Sequence, residues 1–88
     1  MLFYYSTTEV GAVIIKNGFR NGISSFGEGI WFTDNPEHME SEWRFSVEIP
    51  EGVMKPYLLE SAALEGIREW FAPAKVVNRY LQTLKRLL

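Results

Sequence analysis

A carboxylate set among large apolar residues is the first group in this chain that can do chemistry. In Ile67-Arg68-Glu69-Trp70-Phe71, Glu69 shares the period-two face of Ile67 and Phe71. If that face is inward, the carboxylate stands in an apolar setting, which is costly unless the charge is paired or put to use. If Arg68 and Trp70 point inward instead, Glu69 is an ordinary solvated charge. The second candidate is Gly27-Glu28-Gly29-Ile30-Trp31-Phe32-Thr33-Asp34. Glycines let a backbone turn or approach a ligand closely, and the large residues after them favour a strand. Such a stretch is either one wall of a pocket, with Trp31 presented to a ligand, or a core strand behind a glycine turn. The third candidate is Arg20, the one cation between Phe19 and Gly29. It is either a phosphate contact or a solvated surface charge.

Composition removes several alternatives. There is no cysteine, so there is no disulfide framework and no thiolate zinc site. The single histidine, His38, lies among Glu37, Glu40 and Glu42 and reads as a surface residue. A conventional zinc centre or a histidine-based triad therefore lacks its parts, and no metal is expected. A net charge of −2 gives no global reason to expect nucleic-acid binding. The apolar run Gly11–Ile15 is too short to span a membrane, and no signal-peptide pattern precedes it. At 88 residues and 47% hydrophobic content, one domain over residues 1–88 with its own core is expected, cytoplasmic by default.

The elements that must position these residues follow from local pattern. Leu2 to Thr7 reads as a first strand. Thr8 caps a helix with Glu9 in its first turn, Val10, Val13 and Ile14 on one face, and Lys16-Asn17-Gly18 at its end. Phe19 to Gly29 reads as a loop, with turn chemistry at Asn21-Gly22 and Ser24-Ser25. Asn35-Pro36-Glu37 opens a short helix. Trp43 to Ile49 alternates, with Trp43, Phe45, Val47 and Ile49 inward. Pro50-Glu51-Gly52 is a turn, and Val53 to Leu59 is a weak strand split or confined to an edge by Pro56. Ser61 to Gly66 is a small-residue connector, and Ile67 to Phe71 is a strand. From Pro73, Val76, Val77, Tyr80, Leu81, Leu84, Leu87 and Leu88 fit a helical stripe, with Lys75, Arg79, Lys85 and Arg86 off it.

The order and content of these stretches resemble the ADP-ribosyltransferase superfamily, in its diphtheria-toxin and poly(ADP-ribose) polymerase branch. The branch shares a His–Tyr–Glu signature. Its first strand reads like Leu-Tyr-His-Gly-Thr before a helix and a Gly-Phe or Gly-Leu turn; here Phe3-Tyr4-Tyr5-Ser6-Thr7 precedes a helix and Gly18-Phe19-Arg20. Its second motif reads Gly-x-Gly-Ile-Tyr-Phe-Thr; here it is Gly27-Glu28-Gly29-Ile30-Trp31-Phe32-Thr33. Its third reads Asn-Glu-Tyr-x-Val followed by a proline or aspartate and a Val-x-x-Tyr-Leu run; here Arg68-Glu69-Trp70-Phe71-Ala72-Pro73 precedes Val76-Val77-Asn78-Arg79-Tyr80-Leu81. The likeness covers nearly the whole chain. Tyr5 stands for the histidine and Trp31 for the tyrosine, while Glu69 is kept.

The resemblance implies an α+β domain with a small split antiparallel sheet, short flanking helices and a cleft for NAD, which is a substrate here. It implies that Tyr5 contacts the adenosine ribose, the Ser6 backbone binds the nicotinamide amide, Trp31 stacks on the nicotinamide and Glu69 stabilises positive charge as the glycosidic bond breaks. The expected cofactor-binding set is Tyr5, Ser6, Thr7, Gly29, Trp31 and Arg20, with Glu69 catalytic. The expected reaction is ADP-ribosyl transfer to an acceptor that is a protein, a nucleic acid, a small molecule or water. A non-catalytic nucleotide- or protein-binding module of the same fold is the alternative, and a tRNA 2′-phosphotransferase-like activity a further one. At the C-terminus the two readings part. The resemblance implies a closing strand from about Arg79, whereas leucine spacing and helix propensity predict helix over at least Thr83–Leu88, a break between Asn78 and Gln82, and a buried face of Val77, Tyr80, Leu81 and Leu84.

Overall fold

The computed structural model describes residues 1–39, 41–59, 66 and 68–87. The expected connector at residues 61–65, Ile67, Leu88 and the side-chain setting of His38 lie outside them. Strand β1 (Leu2–Thr7) ends at Thr8, whose hydroxyl accepts from Gly11 N–H and caps α1 (Glu9–Ile15). The helix stops before Gly18, whose φ of +121° suits glycine. A short strand β2 (Gly22–Ser24) then forms a hairpin with β3 (Gly27–Thr33). The stretch expected as loop is therefore partly strand. Asn35 caps a 3₁₀ turn at Pro36–His38, and β4 (Trp43–Glu48) follows.

The expected strand from Val53 is corrected. Glu51–Met54 is a helix, α2, and Lys55–Tyr57 a 3₁₀ turn, which leaves only Leu58–Leu59 as β5. Pro56 has no N–H to give a ladder, but it suits the start of a helical turn. Strand β6 is Glu69–Ala72, followed by α3 (Ala74–Val77). The expected C-terminal helix is also corrected. Asn78–Thr83 is 3₁₀, with a kink at Tyr80 (φ −116°, ψ 17°), and Lys85–Arg86 is a strand, β7, paired to Phe45 and Ser46. The break falls where expected, but the chain does not resume a helix. Thr83 Oγ1 accepts from Glu48 N–H at 2.9 Å, and Leu87 N–H donates to the Arg44 carbonyl at 2.8 Å. The open edge of β4 thus captures the segment, and a helix so short has little stability of its own to compete.

The result is an α+β fold with a seven-stranded antiparallel sheet, ordered β5-β6-β3-β1-β4-β7 with β2 on β3, and three short α-helices among the described residues. One face is apolar: Phe3, Phe32, Val47, Ile49 and Trp70 are buried on it, with Met54 and Val77 from the helices. Trp43 is half-buried at its margin, with the Arg86 guanidinium 3.9 Å above its ring. The apolar face of α1 behaves differently. Val10, Val13 and Ile14 are exposed, while Ala12 and Ile15 face the core. The cause is the close approach at Gly11, where a Cβ would overlap Thr7 Oγ1, so the helix meets β1 along its small residues.

Val77 is buried as expected, whereas Tyr80, Leu81 and Leu84, expected to be buried with it, are half-buried against the core. Leu84→Ala is therefore expected to cost about 1–2 kcal/mol, below the full range for a buried leucine. A shift of the urea midpoint at constant slope measures it.

Candidate functional site

The sheet is split between β1 and β3. Strand β1 pairs with β4 along its whole length, from Leu2 opposite Glu48 to Thr7 opposite Trp43, yet meets β3 at one position, Tyr4 opposite Thr33. The other end of β3 gives the same edge to β2, with Gly22 opposite Gly29. Between those points the edges of β1 and β3 diverge.

Hydrogen-bond alternation shows what faces the gap. Met1 and Ile49 exchange both backbone bonds, at 3.0 and 3.2 Å. Counting on in the antiparallel ladder, Phe3, Tyr5 and Thr7 bond to β4, so Tyr4 and Ser6 turn their N–H and C=O the other way. On the opposite strand Asp34 N–H donates to the Arg68 carbonyl at 3.3 Å. By the same count Phe32 and Ile30 bond to β6, and Thr33 and Trp31 face β1. Tyr4 and Thr33 meet. Ser6 and Trp31 stand next in line but are not paired, so each aims a backbone donor and acceptor into the split.

A cleft of about 760 Å³ occupies this gap. Tyr5, Ser6, Arg20, Gly29, Trp31 and Glu69 all line it. Thr7 stands apart: its side chain packs on Gly11, and its carbonyl accepts a hydrogen bond from Ser41 Oγ. Tyr5 is half-buried, with its ring edge-on to Phe19 at 5.2 Å and tilted against Phe32 at 5.8 Å. Arg20 is exposed at the open end, on a loop tied by two asparagines to α3 and the 3₁₀ segment after it. Asn21 Oδ1 accepts from Ala74 N–H at 2.8 Å, and Asn78 bonds both the N–H and the carbonyl of Phe19.

Strand β6 resolves the two readings of Glu69. Trp70 and Ala72 point into the core, which turns half-buried Glu69 and Phe71 toward the cleft face, Glu69 opposite Thr33 and Phe71 opposite Trp31. Arg68 is not inward; it is exposed and holds Asp34 through Nε at 3.0 Å, while its NH1 reaches Glu51 at 3.5 Å. Glu69 and Arg20 are the charged residues of the cleft lining among the described residues. Gly29 has a steric reason to be glycine, since a Cβ there would sit 2.9 Å from the Phe71 ring. That ring lies 4.9 Å from the Trp31 indole, which is 38% exposed.

The remaining wall was not legible as a motif. Met39 and Ser41 line the cleft from the crossover between β3 and β4. Ser41 anchors that crossover twice, by its bond to the Thr7 carbonyl and by accepting from Trp43 N–H at 3.2 Å. Among the described residues no group of side chains is arranged to hold a metal ion, and no helix is long and apolar enough to cross a membrane. The chain matches no protein-family model, no curated protein and no solved structure.

Proposed function

We propose that this protein binds NAD in the split of its sheet and transfers ADP-ribose to an acceptor, in the manner of the ADP-ribosyltransferase superfamily that its sequence resembles. The observation that carries the reading is the meeting of Ser6, Trp31 and Glu69, distant in sequence, around one cleft with free backbone groups at its edge. A primary carboxamide carries a donor and an acceptor side by side, and the outward N–H and C=O of Ser6 are their complement. A nicotinamide held there has the Trp31 indole beside it, and an aromatic face attracts a cationic ring. Cleavage breaks the bond between the nicotinamide nitrogen and ribose C1′. The electron pair leaves with neutral nicotinamide, and positive charge develops on the ribose. The Glu69 carboxylate stabilises that charge. The acceptor then bonds to C1′ and gives up its proton. Arg20 at the open end supplies the charge for the diphosphate.

A calorimetric titration with NAD, followed by assay for free nicotinamide, tests the reading. Saturating NAD with no heat and no product refutes it. Binding without nicotinamide release assigns the cleft to nucleotide binding alone. Among the described residues the lining carries a single cation, which makes a phosphorylated RNA the weaker acceptor.

The Ser6 part of the reading has its own test. The Ser6 N–H faces the split and not β4, so Ser6→Pro removes a cleft donor without removing a ladder bond. Ser6→Pro is expected to weaken NAD binding by about tenfold, the worth of one well-placed hydrogen bond, while Ser6→Ala leaves it unchanged. Equal losses in both variants would shift the contact from the backbone to the hydroxyl.

A further inference from the structure

Phe26 is an exposed aromatic that neither the fold nor the reading above uses. It lies in the turn between β2 and β3, where Ser24 pairs with Gly27, and is 60% exposed. Its position is nonetheless held. Its N–H donates to Ser24 Oγ at 3.1 Å, and Gly27 takes the φ of +105° that follows it in the turn. Its ring meets the Trp31 indole edge to face, centroids 5.5 Å apart at 81°, with Phe71 at 6.3 Å behind. The two rings therefore stand nearly at right angles, Trp31 in the cleft lining and Phe26 beside it at the exposed tip of the hairpin.

We propose that Phe26 is the stacking face for the adenine of NAD, and so the residue by which this protein prefers a dinucleotide to a mononucleotide. The inference rests on the NAD reading. NAD carries two flat rings joined through a diphosphate. Glu69 lies opposite Thr33, beside the closed end of the split where Tyr4 meets Thr33, so the nicotinamide ribose belongs there. The rest of the ligand leaves by the open end, past Arg20 and the paired glycines Gly22 and Gly29, which put no side chain in its way. The β2–β3 hairpin continues from that pair, and Phe26 is its tip. Bases stack on aromatic side chains without need of further polar contacts. An exposed phenylalanine held by a turn bond is already ordered for that contact.

The test is titration calorimetry of the wild type, Phe26→Ala and Phe26→Tyr with NAD, ADP-ribose and nicotinamide mononucleotide. An exposed turn residue tolerates these substitutions, and circular dichroism verifies the fold. Phe26→Ala is expected to weaken NAD and ADP-ribose by about tenfold, to leave nicotinamide mononucleotide unchanged, and to be rescued by Phe26→Tyr. Unchanged NAD affinity overturns the proposal. So does an equal loss for all three ligands, which makes Phe26 a prop for Trp31. A wild type that binds none of them refutes the NAD reading itself, and this inference with it.

Discussion

Glu69→Gln is expected to slow nicotinamide release from NAD by about 10²–10³-fold, with NAD affinity nearly unchanged. The substitution keeps the shape of the side chain and its ability to hydrogen-bond a ribose hydroxyl, so the ground-state complex keeps its contacts. It removes the negative charge. Positive charge exists on the ribose only as the bond to nicotinamide breaks, so the loss falls on the transition state and appears in the rate rather than in binding. The local structure supports a clean substitution. Glu69 is half-buried and paired in register with Thr33, while the anchoring contacts of β6 lie on its other face. Single-turnover measurement at saturating NAD separates the two effects. A rate within threefold of the wild type would exclude Glu69 as the charge-stabilising group, and a parallel fall in affinity and rate would make it a binding residue.

The parts of this fold legible in the sequence are those decided within a few residues. Thr8 caps α1 because its hydroxyl reaches the first turn, and Gly18 follows that helix because its backbone needs a positive φ. The alternation in β4, continued by the residue after it, buries Phe45, Val47 and Ile49 because strand period and core face coincide. What was not legible depends on how one element packs on another. An apolar stripe on α1 marks a face but not its direction. Contact between Gly11 and Thr7 sets that direction, and leaves Val10 and Val13 exposed. Leucine spacing after Thr83 suits a helix, but the open edge of β4 takes Lys85 and Arg86 as a strand. The candidate site divides in the same way. Ser6, Trp31 and Glu69 could be singled out by type and motif. That Trp70 turns inward and Glu69 does not, and that Met39 and Ser41 close the cleft, follows only from register and from the crossover after β3.

Trp70→Ala is expected to lower stability by about 3–5 kcal/mol, the range for deleting a buried aromatic ring. Trp70 is 2% exposed. Its ring stands edge to face on Phe3 at 4.7 Å, and the Arg68 guanidinium lies 5.3 Å from it. It is paired in register with Phe32 on one side and Leu58 on the other, so it joins β5, β6 and β3 through one side chain. A domain of this size has about 5–15 kcal/mol of stability in total, so the loss is a large share of it. Urea unfolding measures the cost, and Trp70→Phe should recover part of it. A cost under 1 kcal/mol for Trp70→Ala would show that the core does not depend on this ring. The consequence for the cleft is geometric. Successive residues of a strand point to opposite faces, so burying Trp70 is what presents Glu69 and Phe71 to the split. A slip of β6 by one residue would bury Glu69 and expose Trp70, and the apolar demand of Trp70 is what makes that slip costly. The residue that anchors β6 in the core therefore also aims its carboxylate.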